Sequence, residues 1–250
     1  MEYASKNVIK VMPDSSLADV AKIMSEYNIR HVPVVSEDNR PIGLVGLREV
    51  GEVLLEGGRE ALEKEKVVDH MNDQPVKVTE DVSLLKGVEL MLEAGVGSII
   101  IVDNMDSIKA ILTERDVVKF LSSIPSIEII ENIASPISTY VLPGSSMREA
   151  LELMMELWER YLVFSRGNEI TGIISMFDIV RKALDEDLSA PVDMIAKRVE
   201  MLPPETPISY AAALMISKNR EALLVGRRDP TGIVGEKNMV RGAMEVLSRI

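Results

Sequence analysis

The chain has 250 residues, no cysteine, two histidines and a formal net charge of -12. The missing cysteines exclude a disulfide framework and thiolate metal sites, and His31 and His70 are too few for most zinc sites. The acid excess argues against a duplex-binding surface, and no apolar run approaches the ~18 residues of a membrane span. A cytoplasmic protein is expected, with no membrane partner, nucleic acid disfavoured as a partner, and no metal site.

Taken in chain order, the elements form one pattern four times. Repeat 1 opens on an extended piece around Val11 and Met12 and turns at Pro13, Asp14 and Ser15. Ser16 then suits a helix N-cap, and Leu17, Val20, Ala21 and Met24 make an i, i+3, i+4, i+7 stripe. Apolar runs at 32–35 and 42–45 predict two strands. The longest connector, 51–69, carries Gly57 and Gly58 and then a charged stretch, and is expected to be an exposed helical link.

Repeat 2 turns at Glu80, Asp81 and Val82, caps with Ser83, and carries its stripe on Leu84, Gly87, Val88 and Met91, with strands at 99–102 and 108–112. A joint is expected near 122–135. Repeat 3 turns at Pro143, Gly144 and Ser145, caps with Ser146, and continues with Met147, Ala150, Leu151 and Met154 and strands at 162–164 and 170–174. Repeat 4 turns at Pro204, Glu205 and Thr206, and continues with Ile208, Ala211, Ala212 and Met215 and strands at 223–225 and 232–234.

The four copies stay in register: Met24, Met91, Met154 and Met215 are related by offsets of 67, 63 and 61 residues. The fold expected is α+β, four βαββα units. One unit has too small a core to stand alone, so the units should pair.

The chemistry sits where the second strand of each unit runs into a helix. Repeat 2 reads Thr113, Glu114, Arg115, Asp116 there, and repeat 3 reads Ser175, Met176, Phe177, Asp178. A hydroxyl and a carboxylate three residues apart on a first helical turn share one face. The same spacing is a capping box, so an isolated match would be read as a helix N-terminus and nothing more.

With four copies in register, the chain resembles the CBS-domain family, whose signature is Thr/Ser-x-x-Asp at this junction. Among that family's members it resembles the adenine-nucleotide-sensing gamma subunit of AMP-activated kinase. The resemblance implies two pseudo-twofold pairs of CBS-type units. The first pair would be residues 1–122, with repeats at about 6–55 and 72–122. The second would be 123–250, with repeats at about 135–184 and 198–247.

It further implies a non-catalytic regulatory module with no required cofactor. AMP, ADP or ATP would bind between paired repeats and signal to an unidentified regulated protein; a homodimer is compatible with this. The Asp carboxylate would accept from both ribose hydroxyls as a charge-assisted acceptor. Two alternatives stay open: an interaction scaffold with relic pockets, and a sensor of S-adenosylmethionine or a related adenosyl ligand. An enzyme is not expected, because the chain has no cysteine, no histidine pair and no G-x-S-x-G elbow.

The family pattern sets Thr113 and Asp116 against the opening of repeat 1, where main chain at Val11 and Met12 would read the adenine edge. Arg30 and His31 lie where related proteins carry phosphate-binding basic residues. Ser175 and Asp178 would work with Met201 and Leu202 near the base. Arg220 is one place off the matching basic position, where Glu221 and Ala222 stand. The repeat 2 site is therefore expected to favour phosphorylated ligands more strongly than the repeat 3 site. Repeats 1 and 4 depart from the signature, with Gly46 and Glu49, and Gly235 and Asn238. Two competent sites are expected.

Overall fold

The structure is a computed structural model that describes residues 2–137, 139–167 and 169–249. The first helix of each copy follows a short extended segment. In repeat 1, α1 (Leu17–Tyr27) starts at Ser16, whose hydroxyl accepts from Asp19 N–H at 3.1 Å. It ends at Asn28 in the left-handed region, a conformation that Asn tolerates. Strands β1 (His31–Val35) and β2 (Pro41–Gly46) follow as an antiparallel hairpin, and Val11 adds a parallel bridge to Val34.

Helix α2 (Leu47–Lys64) corrects the expectation of an exposed link. It runs through the connector and breaks at Gly57 and Gly58, and it buries Val53, Leu54 and Leu62. A short turn of helix, α3 (Val67–His70), leads to repeat 2. There β3 (Lys77–Thr79), α4 (Leu84–Ala94), β4 (Ser98–Val102), β5 (Ile108–Thr113) and α5 (Glu114–Ser123) complete the unit.

Repeat 3 comprises β6 (Ser135–Pro136), β7 (Tyr140–Val141), α6 (Met147–Glu156), β8 (Tyr161–Arg166), β9 (Glu169–Ser175) and α7 (Met176–Lys182). Repeat 4 comprises β10 (Met201–Leu202), α8 (Ile208–Ser217), β11 (Ala222–Gly226), β12 (Pro230–Gly235) and α9 (Glu236–Leu247). Ser83 and Ser146 cap α4 and α6 as Ser16 caps α1. The N-cap of α8 is Pro207, which makes no side-chain bond.

In every unit the first strand lies parallel beside an antiparallel hairpin, and each hairpin shifts register at the same aligned place, after Val34, Ile101, Phe164 and Val225. The segment that precedes each unit does not join its own sheet. Ser5 bridges to Ile111 of repeat 2, and Asn72 to Leu44 of repeat 1. Lys197 bridges to Ile173 of repeat 3, and Ser135 of β6 pairs with Ile233 of repeat 4. Leading segments are thus exchanged between repeats 1 and 2, and between repeats 3 and 4.

The chain forms two compact units. Unit 1 is Met1–Val8, Val76–Ser138 and Val199–Ile250; unit 2 is Ile9–Pro75 and Thr139–Arg198. These cut across the sequential halves 1–122 and 123–250. Unit 1 holds repeats 2 and 4, with α5 packed on α8 and α9, and α4 on α9. Unit 2 holds repeats 1 and 3, with α2 packed on α6 and α7, and α1 on α7. Each has its own core: Val88, Met91, Leu121, Ile208 and Met215 in unit 1, and Leu17, Met24, Leu54, Met147 and Met154 in unit 2. Burial of each such side chain contributes roughly 1.5–3 kcal/mol, so the helical stripes decide how the repeats assemble.

Candidate functional site

In unit 1, β5 delivers Thr113 to the N-cap of α5, and Asp116 occupies the third helical position. The Asp116 carboxylate is 1% exposed. Its Oδ2 accepts from Thr113 Oγ1 at 2.7 Å and Thr113 N–H at 3.0 Å. Its Oδ1 accepts from Ser5 Oγ at 3.1 Å and Lys119 Nζ at 2.9 Å. The capping box and the Thr/Ser-x-x-Asp signature are therefore the same residues. The Thr113 hydroxyl gives its proton to Asp116 and accepts Asp116 N–H, so it serves to orient the carboxylate.

Unit 2 repeats the pairing of hydroxyl and carboxylate at the start of α7. Asp178 Oδ2 accepts from Ser175 Oγ at 2.9 Å. Its Oδ1 takes two cations, Arg181 at 3.0 Å and Lys197 at 2.5 Å. Buried carboxylates persist only when hydrogen-bonded and paired, and both aspartates meet that condition.

The departures in repeats 1 and 4 have visible consequences. Glu49 Oε2 folds back on Gly46 N–H at 2.8 Å. Asn238 accepts from Gly235 N–H at 2.9 Å and spends its amide protons on Ile133 O at 2.7 Å and Ser135 Oγ at 3.0 Å. An aspartate at 238 could not donate those two bonds.

The other residues singled out in the sequence are divided between the two units. Thr113, Asp116, Met201, Leu202 and Arg220 belong to unit 1, and Val11, Met12, Arg30, His31, Ser175 and Asp178 to unit 2. Val11 is engaged along its main chain by the sheet: its N–H donates to Pro33 O and its carbonyl accepts Val35 N–H, both at 3.0 Å. Met12 keeps a partly exposed side chain, and its carbonyl accepts Ser15 N–H. Met201 and Leu202 form β10 beside β11. Arg220 is held by Glu200 at 3.1 Å, and its carbonyl accepts from Arg115 at 2.6 Å.

Arg30 lays its guanidinium 4.9 Å over the Phe177 ring of repeat 3. Burial pushes the His31 imidazole down to about pKa 3, helped by the positive charges of Arg160 and Arg30, so His31 is neutral at pH 7. The cations that pair with the two carboxylates are unequal in number. Asp116 has one ammonium, Lys119, whereas Asp178 has two cations. Sequence reasoning missed Lys197, because repeat 4 is one residue shorter between this position and its first strand than the other repeats.

The family model for the CBS domain matches residues 1–56, 67–123 and 130–185, well over half of the chain. The chain belongs to the CBS-domain family. The fourth repeat lies outside the matched segments and carries the same order of elements. A 33.4 kDa protein encoded in a ribosomal RNA operon of Thermofilum pendens is 27% identical, over 93% of this chain and 87% of its own.

Among solved structures, protein MJ1225 of Methanocaldococcus jannaschii superposes with a TM-score of 0.85 at 22% identity, covering 97% of this chain and 98% of its own. A conserved protein of Pyrococcus horikoshii gives 0.68 at 18% identity, covering 96% and 97%. These likenesses establish the tandem CBS fold over nearly the full length.

Proposed function

We propose that this CBS-domain chain is a non-catalytic regulatory module that binds adenine nucleotides, AMP, ADP or ATP, through the ribose, and passes ligand state to a protein partner. The observation that carries this reading is the pair of buried carboxylates, Asp116 and Asp178, each oriented by a hydroxyl at the strand-to-helix junction. Two neighbouring acceptors on an ionised group match a cis-diol, and charge-assisted bonds are the stronger class. The likeness to MJ1225, itself proposed as an archaeal homologue of the gamma subunit of AMP-activated kinase, favours the same reading. Repeats 1 and 4 offer a glutamate turned back on its own cap and an asparagine bonded to its surroundings, which supports two sites in place of four.

Ligand would act by binding one arrangement of the repeats better than another, and only that differential affinity can move a partner. Isothermal calorimetry with AMP, ADP, ATP and adenosine tests the assignment. Asp116→Ala and Asp178→Ala should each remove one site. Loss of the ribose bond, worth about 1.5–3 kcal/mol, weakens that site on the order of tenfold to a hundredfold. Unchanged affinities in both variants would refute the reading and leave an interaction scaffold with relic pockets.

A further inference from the structure

The two aspartates are alike in burial, in the hydroxyl that orients them and in helix position, yet their surroundings differ by one charge. Beside Asp116 the exchanged leading segment contributes Ser5, a neutral hydroxyl at 3.1 Å. Beside Asp178 the same segment contributes Lys197, an ammonium at 2.5 Å. At Asn238 the corresponding residue is Ser135.

The placement of Lys197 is built into the fold. Its N–H and carbonyl both pair with Ile173 at 2.9 Å. This close approach needs Gly172, where a Cβ would stand 2.6 Å from the Lys197 carbonyl. The ammonium is one of several cations around the first turn of α7. Arg181 also reaches Asp178, and Arg181 and Arg30 both lie over Phe177. The Lys197 side chain is 43% exposed, so its end can turn outward while Asp178 stays buried.

We infer that Lys197 sets ligand class at the repeat 3 site, selecting adenosyl ligands with an anionic group and rejecting those with a cationic sulfonium. The inference rests on reading Asp178 as a ribose acceptor. A ribose that takes Asp178 Oδ1 competes with Lys197 for the same oxygen. A neutral nucleoside breaks that ion pair and returns nothing to the ammonium. A nucleotide offers a phosphate in exchange, and a charge-assisted phosphate contact is worth on the order of tenfold or more in affinity. A sulfonium adds a second positive charge next to the displaced one.

The test uses the full chain carrying Asp116→Ala, which leaves the repeat 3 site, and calorimetry with AMP, adenosine and S-adenosylmethionine. AMP should bind more tightly than adenosine, on the order of tenfold or more, and S-adenosylmethionine most weakly. Adding Lys197→Met should collapse the AMP-to-adenosine ratio towards one, with adenosine affinity held or improved. Adding Lys197→Glu should raise S-adenosylmethionine above AMP, a gain that a misfolded variant cannot imitate. Adenosyl binding that is abolished by Asp178→Ala but keeps the same ligand ranking in both Lys197 variants would overturn the inference alone. Absence of binding, or binding that survives Asp178→Ala, would overturn the ribose reading and the inference with it.

Discussion

Asp116 and Asp178 each hold a buried negative charge on the first turn of a helix, bonded to the hydroxyl that caps it. The hydroxyl partner keeps the carboxylate in place, and the nearby ammonium or guanidinium offsets its burial. His31 shows the opposite economy. It stays neutral between two guanidiniums, so it adds an imidazole face and no charge.

That state has a measurable consequence. An unfolded chain binds the His31 proton near pH 6.5, while the folded chain does so only near pH 3. The folded pKa is depressed, so the associated stability is present above pH 6.5 and is lost as pH falls from there towards 3. Between pH 7 and pH 5 the loss is about 2 kcal/mol at most. Urea unfolding of His31→Gln should show a smaller drop across that interval than the parent chain. An identical drop would mean that His31 does not titrate on unfolding in this way.

At the scale of elements, three of the four first helices are capped by serine, and each of the four is followed by a left-handed residue: Asn28, Gly95, Trp158 or Asn219. Three of these suit that backbone, and Trp158 does not. Its ring lies 3.8 Å from the Arg48 guanidinium, and Arg48 also reaches the α6 carbonyl of Met155. At the aligned place in unit 1, Asn219 Oδ1 accepts a hydrogen bond from Arg115. Stacking in one unit thus replaces a hydrogen bond in the other.

Helix α2 owes its kink to Gly58, at φ 65 and ψ -154, which only glycine adopts without strain. The kink redirects the second half of the helix so that Leu62 is fully buried. Gly58→Ala should therefore destabilise the chain by about 1–3 kcal/mol, read as a lower urea midpoint. A midpoint equal to that of the parent would show that the helix can straighten at no cost.

At the scale of the whole molecule, each compact unit is assembled from a repeat of the first half and a repeat of the second. In unit 1 Arg115 links the two repeats. Its guanidinium donates to Arg220 O at 2.6 Å and Met215 O at 3.2 Å, at the end of α8, and to buried Glu236 at 3.1 Å. Cations at a helix C-terminus are favoured by the helix dipole, and Glu236 would be costly without a partner. Arg115→Met should cost about 3 kcal/mol or more and speed amide exchange in α8 and the first turn of α9. Unaltered exchange in α8 would show that apolar packing alone joins the two repeats.

The sequence by itself determined the elements and the two acids. A helix stripe, a Ser N-cap or a Thr/Ser-x-x-Asp turn is specified by residues within one or two turns of each other, so Ser16, Ser83, Ser146, Asp116 and Asp178 could be read without a fold. Only the tertiary structure decided which repeats share a core and which side chains meet the carboxylates. All four repeats carry similar apolar stripes, so no local pattern distinguishes packing repeat 2 on repeat 4 from packing it on a neighbour in sequence. Ser5 and Lys197 reach Asp116 and Asp178 through exchanged segments far along the chain or out of register. The charge that distinguishes the surroundings of the two carboxylates is therefore a property of chain crossing and is absent from either motif.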